Sequence, residues 1–552
     1  MNKMMKKILP ALFTAALVIS PMVFATSVAA PATDFIAFES GPVRPIAIDH
    51  LSNRLYMVNT ADNRLEIYSI SNDGGLIHQQ SLLVGLEPVT VAVKDANAVW
   101  VVNHLSDSIS IVDVSQSVAQ VKQTLLVGDA PRDLVFASTG KQKAFITTAH
   151  RGQHRSASSL DNVPGAGDPK LTQGGIGRAD VWVFDSNNPG QSLGGKPLKI
   201  IELFADTPRA LAVSVDLQTV YAAAFFSGNQ TTVVHDGMVC DTPLDGDAQP
   251  CAGDGVQVPG GLANGQSPGG LPLPYFNAAG DPTPEVALIV QYDRQDATFK
   301  DELGRNWNNA VRFDLPDQDV FALDATTLNE KRSFAHAGTI LYNMAVNPVN
   351  GNLYVSNTEA NNAERFEGAG ARAGHTLQGE LHRSQITVIN PTTGKVTPRH
   401  INRHINYDIS PAPSGTKQHS LALPSDITVS ADGKTLYVAA FGSGKVGVFA
   451  TESLEDDTLW DNQNNEFDPT VASSRYITVS GGGVSGVVLN EGQNRLYVTT
   501  RFDNGLSIID LEQGKEIEHI SHFTPEPPQI IEGRQLLYDA AKTFIFWRNT
   551  NP

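Results

Sequence analysis

One phrase recurs seven times along the chain: a short apolar strand, a few turn residues, a second strand with a central aromatic, a loop, and a third apolar strand usually closed by Asp. The aromatic anchors are Tyr56, Trp100, Phe145, Tyr221, Tyr354, Tyr437 and Tyr497. Each lies in a segment that alternates at period two, which marks a strand rather than a helix. The strand before the anchor is often opened by proline, as in Pro131-Arg132-Asp133-Leu134 and Pro208-Arg209-Ala210-Leu211. A weaker fourth strand follows, as at Glu516-Ile517-Glu518-His519-Ile520.

Four strands in a repeat of roughly 40 to 45 residues is the period of a propeller blade, because one four-stranded sheet cannot bury both faces until neighbours stack around an axis. The expected fold is therefore all-β, a seven-bladed β-propeller. A β-sandwich would accommodate the strands but does not require the recurring phrase. Leu353-Tyr354-Val355-Ser356-Asn357 and Leu496-Tyr497-Val498-Thr499-Thr500 resemble the Tyr-Val-Thr-Asn (YVTN) β-propeller repeats, and the resemblance runs from residue 44 to about 520. Trp100, Phe145 and the Thr or Ala endings depart from that pattern conservatively.

Residues 1–30 read as a secretory signal: Lys3, Lys6 and Lys7, an apolar run from Ile8 to Ile19, then small residues ending Val28-Ala29-Ala30. A periplasmic or secreted location is expected. No cysteine follows the apolar run to carry a lipid anchor, and no later stretch is apolar enough to span a bilayer. The formal net charge is −18, and removal of the signal, with three lysines and no acid, makes it more negative. Such a surface excludes nucleic acid as a natural partner and favours a cationic protein such as a basic cytochrome. Cys240 and Cys251, in a Gly/Pro-rich loop of an exported chain, are most simply a disulfide, with free or metal-bound thiols the alternative.

The connection between second and third strands is five residues in blades one, two, six and seven, but runs over Ala149–Asp180, Phe225–Asp319 and Thr358–Gln385 in the three middle blades. Strands within a blade are antiparallel, so these long loop insertions are expected on one face, and loops on a rigid scaffold are where binding or catalysis usually resides. A smaller insertion after the third strand of blade six should lie on the opposite face.

Several groups on these segments could bind a ligand. His150 and His154 open the first insertion, and His375 and His382 close the third; they could hold a metal or remain solvated loop histidines, since their spacing matches no zinc motif. Arg44, Arg132 and Arg209 stand at the starts of innermost strands, where they could ring the channel mouth and recognise an anion, or pair with acids such as Asp133. Asp314, Asp317, Asp319 and Asp324 crowd the end of the second insertion without the spacing of a calcium loop. Asp113, Asp185 and Asp510 recur where a turn is needed. No catalytic residue is identifiable, and whether a metal binds is open.

The repeat ends near residue 523. Pro525-Glu526-Pro527-Pro528 reads as a linker, and Ile531 to Thr543 as a helix that resembles the start of a c-type cytochrome domain of the di-haem peroxidase type. That resemblance implies a haem c domain beyond residue 552, because its Cys-x-x-Cys-His attachment motif is missing here and no cofactor is expected in this chain. The expected organisation is a signal at 1–30, a propeller at 31–523, and a linker with a domain start at 524–552. The leading functional expectation is a monomeric, non-catalytic binding or scaffold module with a protein partner or redox domain. A subunit of a periplasmic electron-transfer protein, and a hydrolase or lyase with its site under the insertions of blades three to five, are the alternatives.

Overall fold

The computed structural model describes residues 41–167, 179–234, 251–253, 256–259, 266–267, 271–272, 288–301, 304–311, 317–363, 380–406, 412–458 and 476–540. Each repeat folds into four antiparallel strands paired in sequence order. In the first these are Ile46–Asp49, Arg54–Asn59, Arg64–Ile70 and Leu76–Leu83. The later first strands are Pro88–Asp95, Pro131–Ala137, Asp206–Val213, Ile340–Val346, Pro424–Val429 and Val484–Asn490. A single pair, Phe226 opposite Ile340, joins the fourth and fifth sheets into a larger one. First strands stand side by side in chain order, and that of the last sheet lies against that of the first. Small antiparallel sheets closed into a ring are the arrangement of a β-propeller.

The aromatic anchors explain why the sheets stack. Tyr56 faces Ala47 and Ile67, Trp100 faces Ala92 and Ile111, and Tyr497 faces Val488 and Ile508, so they occupy equivalent registers. Each enters the apolar layer between its own sheet and the next. Trp100 packs among Leu134, Phe136 and Ile146 of the third sheet. Tyr497 packs among Ile46, Leu55 and Met57 of the first, which closes the ring, and its hydroxyl donates to the Gly74 carbonyl at 3.0 Å. A buried ring of this size removes roughly 150–250 Å² from water, a burial that no sheet achieves alone.

Six of the first strands open with a register shift, seen for example between Pro88 and Thr90, Pro131 and Leu134, and Pro424 and Ile427. A bulge turns a side chain towards the axis and frees a backbone amide. At Asp133, Asn343 and Asp426 the side-chain oxygen takes up the amide of the next residue at 2.8, 2.8 and 3.0 Å. The other Asp133 oxygen accepts the amide of Leu211 at 2.8 Å, and that of Asp426 the amide of Val487 at 3.0 Å, each in the neighbouring sheet. Residues 42–44 run through the middle, where Arg44 Nη2 donates to Leu211 O and Asn343 Oδ1 at 2.9 Å and meets Asp133 at 3.4 Å. These groups close the channel, leaving below them a mainly apolar funnel of about 1070 Å³ lined by residues such as Val91, Val135, Val213, Met344 and Val488.

The long connections leave from the upper face, where the chain also crosses between sheets. In the third sheet the connection forms short 3-10 turns at Gln153–Ser156 and Ser158–Leu160. In the fourth it forms a small sheet of Thr231–Val234, Leu288–Asp293 and Thr298–Lys300 over a core of Val234, Val290, Phe299 and Trp307. Asn229 Nδ2 donates to Glu359 Oε1 at 2.8 Å and to Asn362 Oδ1 at 2.9 Å, so the fourth and fifth connections touch. The sixth sheet carries a short helix, Thr451–Glu455, after its third strand.

The segment after the last sheet is anchored by ion pairs and a backbone hydrogen bond. A helix, Pro528–Tyr538, buries Arg534, whose guanidinium grips Glu526 at 2.6 Å beside Arg501. Ala540 N donates to Gly442 O at 2.8 Å, while Leu536 and Leu537 remain exposed. No described helix is long and apolar enough to cross a membrane. Cys240, Asp314 and His375 lie outside the described residues, so the Cys240–Cys251 pairing does too.

Candidate functional site

Three connections that antiparallel strands deliver to the upper face build one cavity of about 770 Å³. Asp317 and Asp319 end the fourth connection just before strand Val320–Asp324. His336 and Gly338 lie in the crossing from strand Glu330–Phe334 to the fifth sheet, and Glu359 sits near the end of strand Leu353–Ala360. The small sheet of the insertion supplies Tyr292, Asp293 and Arg294 as the facing wall.

Backbone geometry at the crossing is specific. His336 adopts φ +69°, a left-handed conformation uncommon for a non-glycine residue. Gly338 has φ +153°, and a Cβ there would stand 2.2 Å from Asn357 Oδ1. Only glycine lets the chain pass so close.

Asp319 is fully buried and its carboxyl is hydrogen-bonded by Ser227 Oγ and, at 2.5 Å, by Ala337 N. Burial, then the neighbouring Asp317, pushes this carboxyl well above the usual range. Asp317 Oδ2 meets Arg294 at 3.2 Å and contacts His336. Its Oδ1 is buried, and its side chain is hydrogen-bonded to the neighbouring Asp319 carboxyl. Glu359 is also raised, by burial first, against the pull of its Asn229 hydrogen bond. The cavity thus offers carboxyl groups and an adjacent imidazole, with the buried Asp319 behind its wall. Perturbed carboxyls in a cleft are the usual mark of a functional site.

The residues singled out from sequence are dispersed by comparison. Arg44 is committed to Asp133, Asn343 and Leu211 inside the channel. Arg209 donates to Pro42 O at 2.8 Å and Tyr342 O at 3.1 Å and lies over the Phe225 ring. Arg132 stands beside it at the channel mouth. His154 stacks on Trp182, with ring centroids 5.8 Å apart, and burial lowers its pKa. His150 is exposed, and His382 pairs opposite Ala360 in the fifth sheet. Among the described residues no three His, Cys, Asp or Glu side chains form a metal-ligand group. Asp324, Asp113 and Asp185 take up turn amides at 2.8 to 2.9 Å.

Arg294, His336 and Glu359 were not evident in the sequence. The available signal was His336-Ala337-Gly338, a histidine among small residues at a sheet-to-sheet crossing on the decorated face.

No protein-family model matches the chain, and no curated protein matches it. Among solved structures, it is similar to Kuenenia stuttgartiensis hydrazine synthase at 14% identity and a TM-score of 0.52, over 86% of this chain and 97% of that one. A functionally unknown protein from Desulfotomaculum acetoxidans aligns at 13% identity and a TM-score of 0.42, over 85% and 95% of the two chains. The first of these likenesses bears on fold, and it agrees with a β-propeller of small antiparallel sheets.

Proposed function

We propose that the chain is an exported, seven-bladed β-propeller that serves as a non-catalytic binding module, with its site in the upper cavity between the fourth-blade insertion and the fifth blade. The blade count is supported by the match between the seven sequence repeats and four-stranded units whose first strands meet in order. The observation that carries the binding role is the cavity wall itself, on which Asp293, Asp317 and Glu359 set carboxyl groups beside His336. A hydrogen bond to a charged group contributes about 1.5–3 kcal/mol, so a wall of carboxyl oxygens favours a ligand that donates. The ligand is therefore rich in hydrogen-bond donors, an amine or a polyol group. Calorimetric titration with primary amines and with polyols tests this: saturable binding that Asp317→Asn weakens about tenfold or more supports the reading, and no binding in either series refutes it.

A second reading, a hydrolase or lyase, is favoured by the pairing of a protonated Asp319 with Asp317 and His336, since an acid held neutral beside a carboxylate can donate a proton. Turnover of a glycoside or ester panel that Asp319→Asn abolishes would select it over binding alone.

A further inference from the structure

A different part of the upper face carries a guanidinium whose buried Nε has no partner among the described residues. Arg132 follows Pro131 at the bulge that opens the third sheet, at the mouth of the channel. Its Nε is buried without a hydrogen-bond partner, and among the described residues burial alone shifts its pKa, downwards. The acids nearest the axis are already engaged: Asp133 and Asp426 hold backbone amides and Arg44. Beside Arg132, the buried Arg209 spends its donors on Pro42 and Tyr342. His104 completes the group, its Nδ1 3.2 Å from Pro131 O.

Three cationic or potentially cationic side chains thus converge, and among the described residues the acids that act on them, Asp133 and Asp426, reach Arg209 and are already engaged elsewhere. Repulsion is visible at two of them: burial and then Arg132 lower Arg209 to about 10, and burial, Arg132 and Arg209 lower His104 to about 4. Desolvating a guanidinium without a partner is unfavourable, and a fold with net charge −18 has ample carboxylates from which to provide one. Arginine's planar fork suits a carboxylate or phosphate group. We infer that the upper channel mouth is an oxyanion site, with Arg132 contacting a carboxylate or phosphate group and Arg209 and His104 shaping the field around it. This site is separate from the cavity at Asp317 and stands without the binding role proposed there.

The test uses the full chain with ¹³C-labelled histidine, titrated separately with acetate and inorganic phosphate at constant ionic strength, His104 being assigned through His104→Gln. The expected result is a saturable shift of the His104 resonance and a rise in its pKa, because an anion favours the imidazolium. A response to acetate alone assigns a carboxylate ligand, to phosphate alone a phosphate. Arg132→Ala should weaken binding about tenfold or more, and Arg132→Lys should retain part of it. The unfolding midpoint of anion-free Arg132→Ala should equal or exceed that of the wild type, since a desolvated charge is removed. No shift with either anion, or the same shift in Arg132→Ala, overturns the site.

Discussion

Nη2 of Arg44 donates to Oδ1 of Asn343 at 2.9 Å, joining segments 299 residues apart. Asn343 Nδ2 in turn donates to Asp426 Oδ1 at 2.6 Å and to Val43 O at 2.7 Å. One side chain therefore ties the leading segment to the fifth and sixth sheets, and the channel is shut by polar groups rather than by apolar packing. Such a network is strong only while every member is satisfied.

Asp426 makes that network pH-sensitive. Burial raises its carboxyl to about 6, although Arg44 and the amides of Val487 and Ile427 pull it down. Its unfolded value is about 3.9, so the folded state takes up a proton first and stability rises as pH falls from about 6 to about 4. In urea unfolding followed by tryptophan fluorescence, the wild type should gain stability over this window and Asp426→Asn should lose the gain. Asp426→Ala leaves the donors of Asn343, Ile427 and Val487 without an acceptor and should cost about 3 kcal/mol at neutral pH.

The layers between sheets should respond to deletion of an anchor. Trp100 is 1% exposed and fills the space between the second and third sheets. Trp100→Ala is expected to cost about 3–5 kcal/mol in the same assay. A loss below about 1 kcal/mol would mean that the anchor does not hold its neighbour.

The tail clamp has the opposite sign to Asp426. Burial acts to raise Glu526, but Arg534 and Arg501 outweigh it and hold the carboxyl at about 2. A lowered acid stabilises above its unfolded value of about 4.3 and loses that contribution as pH falls through about 2. Glu526→Gln removes at neutral pH the charge that Arg534 and Arg501 share. Amide exchange across Pro528–Tyr538 should then accelerate at least about tenfold, while exchange in the sheets is unchanged.

Much of this architecture was legible from local pattern. Alternation located the strands, and the shared register of Tyr56, Trp100 and Tyr497 follows from their shared place in the phrase. Antiparallel pairing placed the long connections on one face. Partner choice was not legible: Arg44, Arg132 and Arg209 look alike in sequence, yet one closes the channel, one holds the incoming chain and one keeps a buried Nε with no partner among the described residues. That difference depends on which acid the bulges of other sheets present, hundreds of residues away. His336 and Glu359 were hidden for the same reason, since neither is unusual until Asp317 is brought beside it. The lower funnel was unforeseen because an apolar first strand reads the same whether it faces a neighbour or an open channel.

Amide exchange with and without a saturating donor ligand from the titration series tests the central claim most directly, because it separates the two cavities on one molecule. Protection confined to Gly228, Asn229, Gln291 to Gln295, His336 to Gly338 and Glu359, lost in Asp317→Asn, is the expected result. Protection along Val91, Val135, Met344 and Val488 would place the ligand in the lower funnel and contradict the account.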